Sequence, residues 1–339
     1  MAIPWDQLIP LLESMLLMRR VEEAACELGP GEVFGNYHVY IGQEATGASV
    51  IAQLRPEDPV FSTHRCHAHC LARGMSIETI IAELLLRGTG ASKGKGGTQH
   101  IMSLEHLMVS TSIVGGSTIL ATGAALAAQV MEVDWIGVAF LGDRSLAEGA
   151  VSEAFNLAGL WELPVLYVCE NNAATPYDPP RRSNLNLAQL TDLAETYGIT
   201  AVAVDATDPA AVYPVAVDLV ERVRRDRRPA FLEARTPSWP GRAGGENPSL
   251  AVTGVTDLSL VWEPLADDPM EKWHRADPLL HMIELVLAEK AATKEEVLEM
   301  DRRIQEQVAQ AVAAALAAPF PPAEDAFAHV YAGGDLWPK

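Results

Sequence analysis

VAFLGDRSLAEGAVSEAFNLAGLWELPVLYVCENN, running from Val138 to Asn172, decides the fold. The apolar run VAFLGD reads as a buried strand that ends in Gly-Asp, Ala147 to Leu160 has helical periodicity, and PVLYVCENN reads as a second buried strand. Runs that stay apolar, instead of alternating with polar residues, belong to strands covered on both faces. Strand, helix, strand is the unit of a parallel sheet, because parallel neighbours need a crossover that packs back onto the sheet. The fold predicted is α/β, with a doubly wound, mostly parallel sheet.

Toward the C-terminus the alternation repeats: Leu187 to Tyr197 as helix, ITAVAVD as strand, Pro209 to Arg225 as helix and PAFLEAR as strand. Toward the N-terminus lie a small-residue helix from Ile119 to Gln129, the glycine- and lysine-rich loop GTGASKGKGGTQH, and a helix from Ser76 to Leu86 that Ser76 would cap. Asp58 to Leu71 reads as turns and polar residues, and Trp5 to Leu28 as a helix stopped by Gly29, Pro30 and Gly31. Past Arg235, TPSWPGRAGGENPSLAVTG is too rich in Pro and Gly to be a simple connection, and Leu279 to Ala292 and Glu295 to Ala318 form two terminal helices. The chain is thus expected to be one domain: an N-terminal arm (1–57), an α/β core (58–235), an active-site loop region (236–275) and a C-terminal helical arm (276–339).

Composition narrows the function. With 339 residues, about half of them apolar, the chain can bury a sizeable core. The 45 acidic against 25 basic side chains, a net charge of −20, repel phosphate backbones and argue against nucleic acid. No apolar run reaches the ~20 residues of a membrane span, and the positive pair near the start follows the apolar residues, the reverse of a secretory signal; a cytoplasmic location is expected. Cys26, Cys66, Cys70 and Cys169 are too scattered for a disulfide framework and are expected as free thiols.

In an open parallel sheet ligands gather at the carboxyl ends of the strands, and two such ends carry Asp143 and Asn172, one crossover helix apart. A carboxylate and an amide oxygen suit a hard cation such as Mg²⁺, completed by substrate phosphates and water, and the helix after Asp143 offers amide groups to the phosphates. Taken singly, Asp143 could equally cap a helix and Asn172 make a turn. HRCHAHC, with Cys66 and Cys70 four apart among histidines, has some zinc-site character but no set of four converging ligands. GTGASKGKGG lacks the spacing of a nucleotide phosphate loop, and the pair Arg181 and Arg182 reads either as a solvated loop or as a receiver for a phosphorylated substrate.

GDRSLAEGAVSEAFNLAGLWELPVLYVCENN resembles the thiamine diphosphate motif of the α subunit of 2-oxo acid dehydrogenase E1 components, the pyruvate and acetoin dehydrogenase family. Similarity extends along nearly the whole chain: MLLMRRVEEAA, HVYIGQEA, LARGMSIETIIAELLLRGTGASKGKGGTQH, SIVGGSTILATGAALA and ATKEEVLEMDRRIQEQVAQAV. The resemblance implies the diphosphate-binding half of the thiamine fold, with thiamine diphosphate and Mg²⁺ as cofactors. It implies Asp143, Asn172 and the backbone carbonyl of Ala174 as metal ligands, with the turn Gly142, Asp143, Arg144 and Ser145 at the diphosphate. Ser112 to Gly115 would support the aminopyrimidine, with Val114 bracing the bent cofactor; Arg65 matches a diphosphate-binding arginine, and His38 a histidine lining the substrate entrance. His38 and His64 are the catalytic candidates, His64 also as a diphosphate partner. The activating glutamate would come from a β subunit, in an α₂β₂ heterotetramer serving a lipoyl or acyl carrier protein.

Several positions depart from the family pattern. Arg144 stands where a glycine is usual, His64 where a tyrosine is, and Ser110 and Ser112 where glycines are; TPSWPGRA replaces a loop of the TYRYHGHS type, putting Pro240 at its histidine and Ser238 at its arginine. An arginine at position 144 either blocks the cofactor or binds its phosphate, and a proline neither donates a hydrogen bond nor shuttles a proton. Three functions follow: cleavage of a 2-oxo acid with transfer of the acyl unit, transketolase-like two-carbon transfer from a ketose phosphate to a carrier, or a non-catalytic E1 α-like scaffold.

Overall fold

The computed structural model describes residues 2–33, 37–174, 185–237, 239, 255–268 and 270–328, without the side chains of 29–32 and 173–174. Ser238, Pro240, Arg181 and Arg182 lie outside the described residues. In chain order the elements are α1 (Trp5–Glu32), α2 (Glu44–Ile51), β1 (Val60–Ser62), α3 (His67–Ala72), α4 (Ile77–Leu84), β2 (Met102–Ser103), β3 (Met108–Ser110), α5 (Gly116–Val130), β4 (Gly137–Gly142), α6 (Gly149–Leu160) and β5 (Val165–Ala174). There follow α7 (Thr191–Thr196), β6 (Thr200–Asp205), α8 (Pro209–Asp226), β7 (Ala230–Pro237), α9 (Glu271–His274), α10 (Pro278–Ala288) and α11 (Lys294–Ala317).

The strands form one seven-stranded sheet in the order β2-β3-β1-β4-β5-β7-β6. All neighbours are parallel except the edge pair β2 and β3. The side-chain period of two sends Val138 and Phe140 of β4 and Leu166 and Val168 of β5 to one core, and Ala139, Leu141, Val165, Tyr167 and Cys169 to a second core on the opposite face. Helices α5, α6 and α7 cover the second; α8, α2 and the terminal arms cover the first, which makes the sheet doubly wound. The termini close on each other: α1 packs along α10 and α11. Capping sets the starts of these helices. Asp208 accepts from Ala210 N with Pro209 next in line, Asp277 accepts from Leu279 N, and Thr293 and Glu296 cap each other's backbone at the head of α11.

Four expectations need correction. The first helix does not stop at Leu28 but runs to Glu32, Gly29 to Gly31 forming its last turn, where a breaker forfeits few hydrogen bonds. Asp58 to Leu71 holds β1 and α3; a strand of three residues is too short to show a period, and it forms only because β3 and β4 flank it. The stretch from Leu187 yields helix only over Thr191–Thr196, because Asp192 turns back to accept from Gln189 N at 3.2 Å. Asp143–Ala147 is a 3₁₀ turn, and α6 begins at Gly149.

Candidate active site

β4 and β5 pair in register as far as Gly142 and Glu170, so the next residue of β4 and the last residues of β5 project from the same edge of the sheet. Asp143 starts the 3₁₀ turn there. Asn171 Nδ2 donates to Glu233 Oε1 at 2.8 Å, and between Asn171 and Ala174 the pairing of β5 with β7 slips, an irregularity of the kind that re-aims side chains. Asn172 sits in that slip, and its Nδ2 donates to Gln43 Oε1 at 3.2 Å. The two oxygen donors named from the strand ends are therefore brought to one edge, with the Ala174 backbone two residues on.

Gln43 had no role assigned from sequence beyond its place in HVYIGQEA. It follows a tight turn in which Gln43 N donates to Tyr40 O at 3.1 Å and Gly42 takes φ +91°. A Cβ on Gly42 would lie 2.1 Å from Trp239 Cδ1, so glycine is needed both for the turn and for the indole. Glu44, fully buried, accepts from Gly42 N at 2.9 Å and from Arg19 Nε at 2.7 Å. Arg19 also donates to both oxygens of Asp277, at 2.8 and 2.9 Å, and to Thr256 Oγ1.

Arg65 Nη1 donates to the Val39 carbonyl, and the His38 and His64 rings meet edge to face with centroids 4.6 Å apart. The fold thus brings together two residues singled out from distant parts of the sequence, Arg65 and Asn172, with Gln43, which was not. Arg65, Gln43 and Asn172 line one small pocket with Val39, Ile41, Pro237 and Trp239. Asp143, His38 and His64 are not among its lining residues.

On the neighbouring edge, Ser112 Oγ and His100 Nε2 lie 3.0 Å apart, tying SIVG to the end of the glycine-rich loop. Gly115, at φ +79°, starts α5, and a Cβ there would meet Val151 Cγ2 at 2.9 Å. Ile113 and Val114 are 69% and 52% exposed, which is unusual for adjacent branched apolar residues. Arg144 is exposed on its turn and has no left-handed backbone, so the position asks for no glycine on conformational grounds; Ser145 is buried.

The histidines and cysteines of HRCHAHC gather no metal-ligand set among the described residues. Among the described residues no group of three or more His, Cys, Asp and Glu side chains is arranged to hold one, and all four cysteines are free. The histidines serve polar networks instead. His67 has Nδ1 3.0 Å from Glu22 Oε1 and Nε2 2.9 Å from the Thr98 carbonyl. Burial alone would lower its pKa, but the Glu22 carboxylate outweighs it and the value rises to about 9. His69 Nδ1 lies 2.8 Å from Ser62 Oγ; Nε2 lies 3.0 Å from Tyr40 Oη and 3.2 Å from Glu170 Oε1.

Donor chemistry at the strand ends fits a magnesium-bound diphosphate. A carboxylate and an amide oxygen suit a hard cation, and the guanidinium of Arg65 suits phosphate. Thr236 Oγ1 and Trp239 Nε1, at the end of β7, are buried with no hydrogen-bond partner among the described residues. Unsatisfied buried donors at a sheet's ligand-binding edge are what a polar ligand would satisfy.

Fold and strand-end geometry together define an α/β protein that brings the oxygen donors Asp143 and Asn172 to one edge of a mostly parallel sheet, and residues 13–239 match the dehydrogenase E1 component family. The chain belongs to that family, as an α subunit of the thiamine diphosphate-dependent 2-oxo acid dehydrogenase type. It is 32% identical over 326 residues to the α subunit of acetoin:2,6-dichlorophenolindophenol oxidoreductase from Bacillus subtilis (strain 168), covering 95% of this chain and 92% of the relative. It is also 32% identical over 328 residues to the pyruvate dehydrogenase E1 component subunit α of Rickettsia felis, covering 96% of each chain. With the acetoin:2,6-dichlorophenolindophenol oxidoreductase α subunit of Cupriavidus necator it shares 32% identity over 334 residues, 97% of this chain and 96% of the relative.

Proposed function

We propose that the chain is the diphosphate-holding half of a cytoplasmic α₂β₂ E1 enzyme, with Mg²⁺ held by Asp143, Asn172 and the Ala174 carbonyl. In this reading it cleaves a small 2-oxo acid such as pyruvate and passes the acyl unit to a lipoyl group on a carrier protein. The observation that carries it is the shared pocket of Arg65, Gln43 and Asn172 at the strand ends. When bound, thiamine diphosphate supplies the electron sink for breaking the bond beside the substrate carbonyl. Arg65 and the exposed Arg144 neutralise phosphate charge, the latter replacing close backbone approach with a guanidinium fork. Ser112 and Val114 brace the pyrimidine end, and His38 and His64 hold a carboxylate or move a proton at the entrance. A second chain is needed for the remaining wall: Ile113 in the bracing segment and Ile119 and Leu120 in the first turns of α5 are exposed apolar residues suited to a β subunit.

The test is a calorimetric titration of thiamine diphosphate with Mg²⁺ into the chain copurified with its β partner, with Asp143→Ala as control, followed by turnover of labelled donors. Saturable binding lost in the control, with CO₂ released from labelled pyruvate, is expected. Transfer of label from a ketose phosphate without CO₂ would replace the donor assignment, and absence of binding by a folded complex would leave the scaffold role.

A further inference from the structure

Asn172 can present either of two chemically opposite atoms to a cation. Its amide carries an acceptor oxygen and a donor nitrogen nearly equal in size, and only the oxygen ligates. The protein decides between them with Gln43, whose Oε1 accepts from Asn172 Nδ2 at 3.2 Å. Once the nitrogen is so engaged, Oδ1 is the atom turned to any cation.

Gln43 is itself held from several sides. Its side chain is buried, 2% exposed; its N–H closes the turn onto Tyr40 O at 3.1 Å, and its carbonyl accepts from Thr46 N at 3.0 Å at the head of α2. The preceding residue, Gly42, is clamped through its N–H by Glu44, which Arg19 holds in turn. These contacts fix the Gln43 backbone and keep its buried side chain beside Asn172.

We infer that Gln43 is a positioning residue, an outer partner of the metal end of the site that selects the ligating oxygen of Asn172. Outer partners of metal ligands fix ligand orientation, and their loss typically costs 10–100-fold in metal affinity. The inference rests on the proposed metal role of Asn172.

Mg²⁺ is titrated calorimetrically into the copurified complex at fixed thiamine diphosphate, for the unmodified protein, Gln43→Met, Gln43→Glu, Asn172→Asp and the double variant Gln43→Met with Asn172→Asp. Gln43→Met fills the same space without an acceptor and is expected to weaken Mg²⁺ binding roughly 10- to 100-fold, while thiamine diphosphate affinity at saturating Mg²⁺ moves little. Gln43→Glu keeps an acceptor and should restore Mg²⁺ affinity to within about threefold. With Asp at 172 both oxygens are equivalent, so adding Gln43→Met should have no further effect. Should the Met variant fail to assemble, Gln43→Asn, one methylene shorter, withdraws the acceptor in its place. Equal Mg²⁺ affinity in Gln43→Met and the unmodified protein overturns the inference while Asp143→Ala still abolishes the response, and so does a Glu variant as weak as the Met one. If the unmodified complex shows no Mg²⁺-dependent binding, the metal reading itself falls and takes this inference with it.

Discussion

Tyr40 Oη donates to Glu170 Oε1 at 2.5 Å, joining residues 130 positions apart beneath the strand end that carries Asn171 and Asn172. Burial, then the Glu170 charge, push the phenol far above its ordinary range, so it remains a donor. Tyr40→Phe leaves the Glu170 carboxylate with His69 alone and is expected to cost about 1–3 kcal/mol, the penalty for an undersatisfied buried acceptor. Urea denaturation of the purified complex measures it; a loss within error of zero would mean that the contact contributes nothing.

Both ring nitrogens of His67 face acceptors, so the folded state favours the imidazolium. Its folded value of about 9 lies above the ordinary 6.5, so the stabilisation is complete below about pH 6.5 and drains away as pH rises through 9. The limiting size is on the order of 3 kcal/mol. Thermal midpoints measured from pH 6 to about 10 should fall in this window, and His67→Gln should flatten that fall.

Glu83 gathers the glycine-rich loop around one fully buried carboxylate. Ser92 N and Gly94 N donate to Oε2 at 2.7 and 2.9 Å, and Gly96 N and Gly97 N to Oε1 at 2.6 and 3.2 Å. Glu83→Gln replaces one acceptor with a donor facing donors and is expected to cost about 2–4 kcal/mol. Hydrogen exchange should report it locally, as faster exchange at residues 92–97 than in α4.

Arg19 is the only cation paired with Glu44 and Asp277 among the described residues, and all three side chains are fully buried. Arg19→Met strands two carboxylates and is expected to destabilise by about 3–5 kcal/mol, more than the triple replacement of Arg19, Glu44 and Asp277 by apolar residues of similar volume. Guanidinium denaturation of the unmodified protein, the single and the triple variant compares them; a single variant no worse than the triple one would refute the account.

Local pattern was enough for the elements that are buried on two faces or strongly periodic. VAFLGD and PVLYVCENN could only be central strands because no other element buries so continuous an apolar run beside a crossover helix, and Asp143 and Asn172 followed as strand-end oxygen donors. α4 with its Ser76 cap was legible because a cap is set by residues three apart, and α11 was legible from its periodicity, whereas its Thr293 capping box emerged from the structure. β1 and α3 were not, since three- and six-residue elements form through their neighbours and not through their own period.

By itself, then, the sequence determined the parallel sheet, its two covered faces, the family and the residues at the strand ends, since all of these are written in short-range periodicity and contiguous motifs. Tertiary structure alone decided that Gln43 meets Asn172, that His38 meets His64, and that the HRCHAHC histidines meet Glu22, Glu170 and Thr98. Those pairings join separate segments of the chain, and a buried polar group takes whichever partner the packed elements deliver to it, a choice no local pattern encodes.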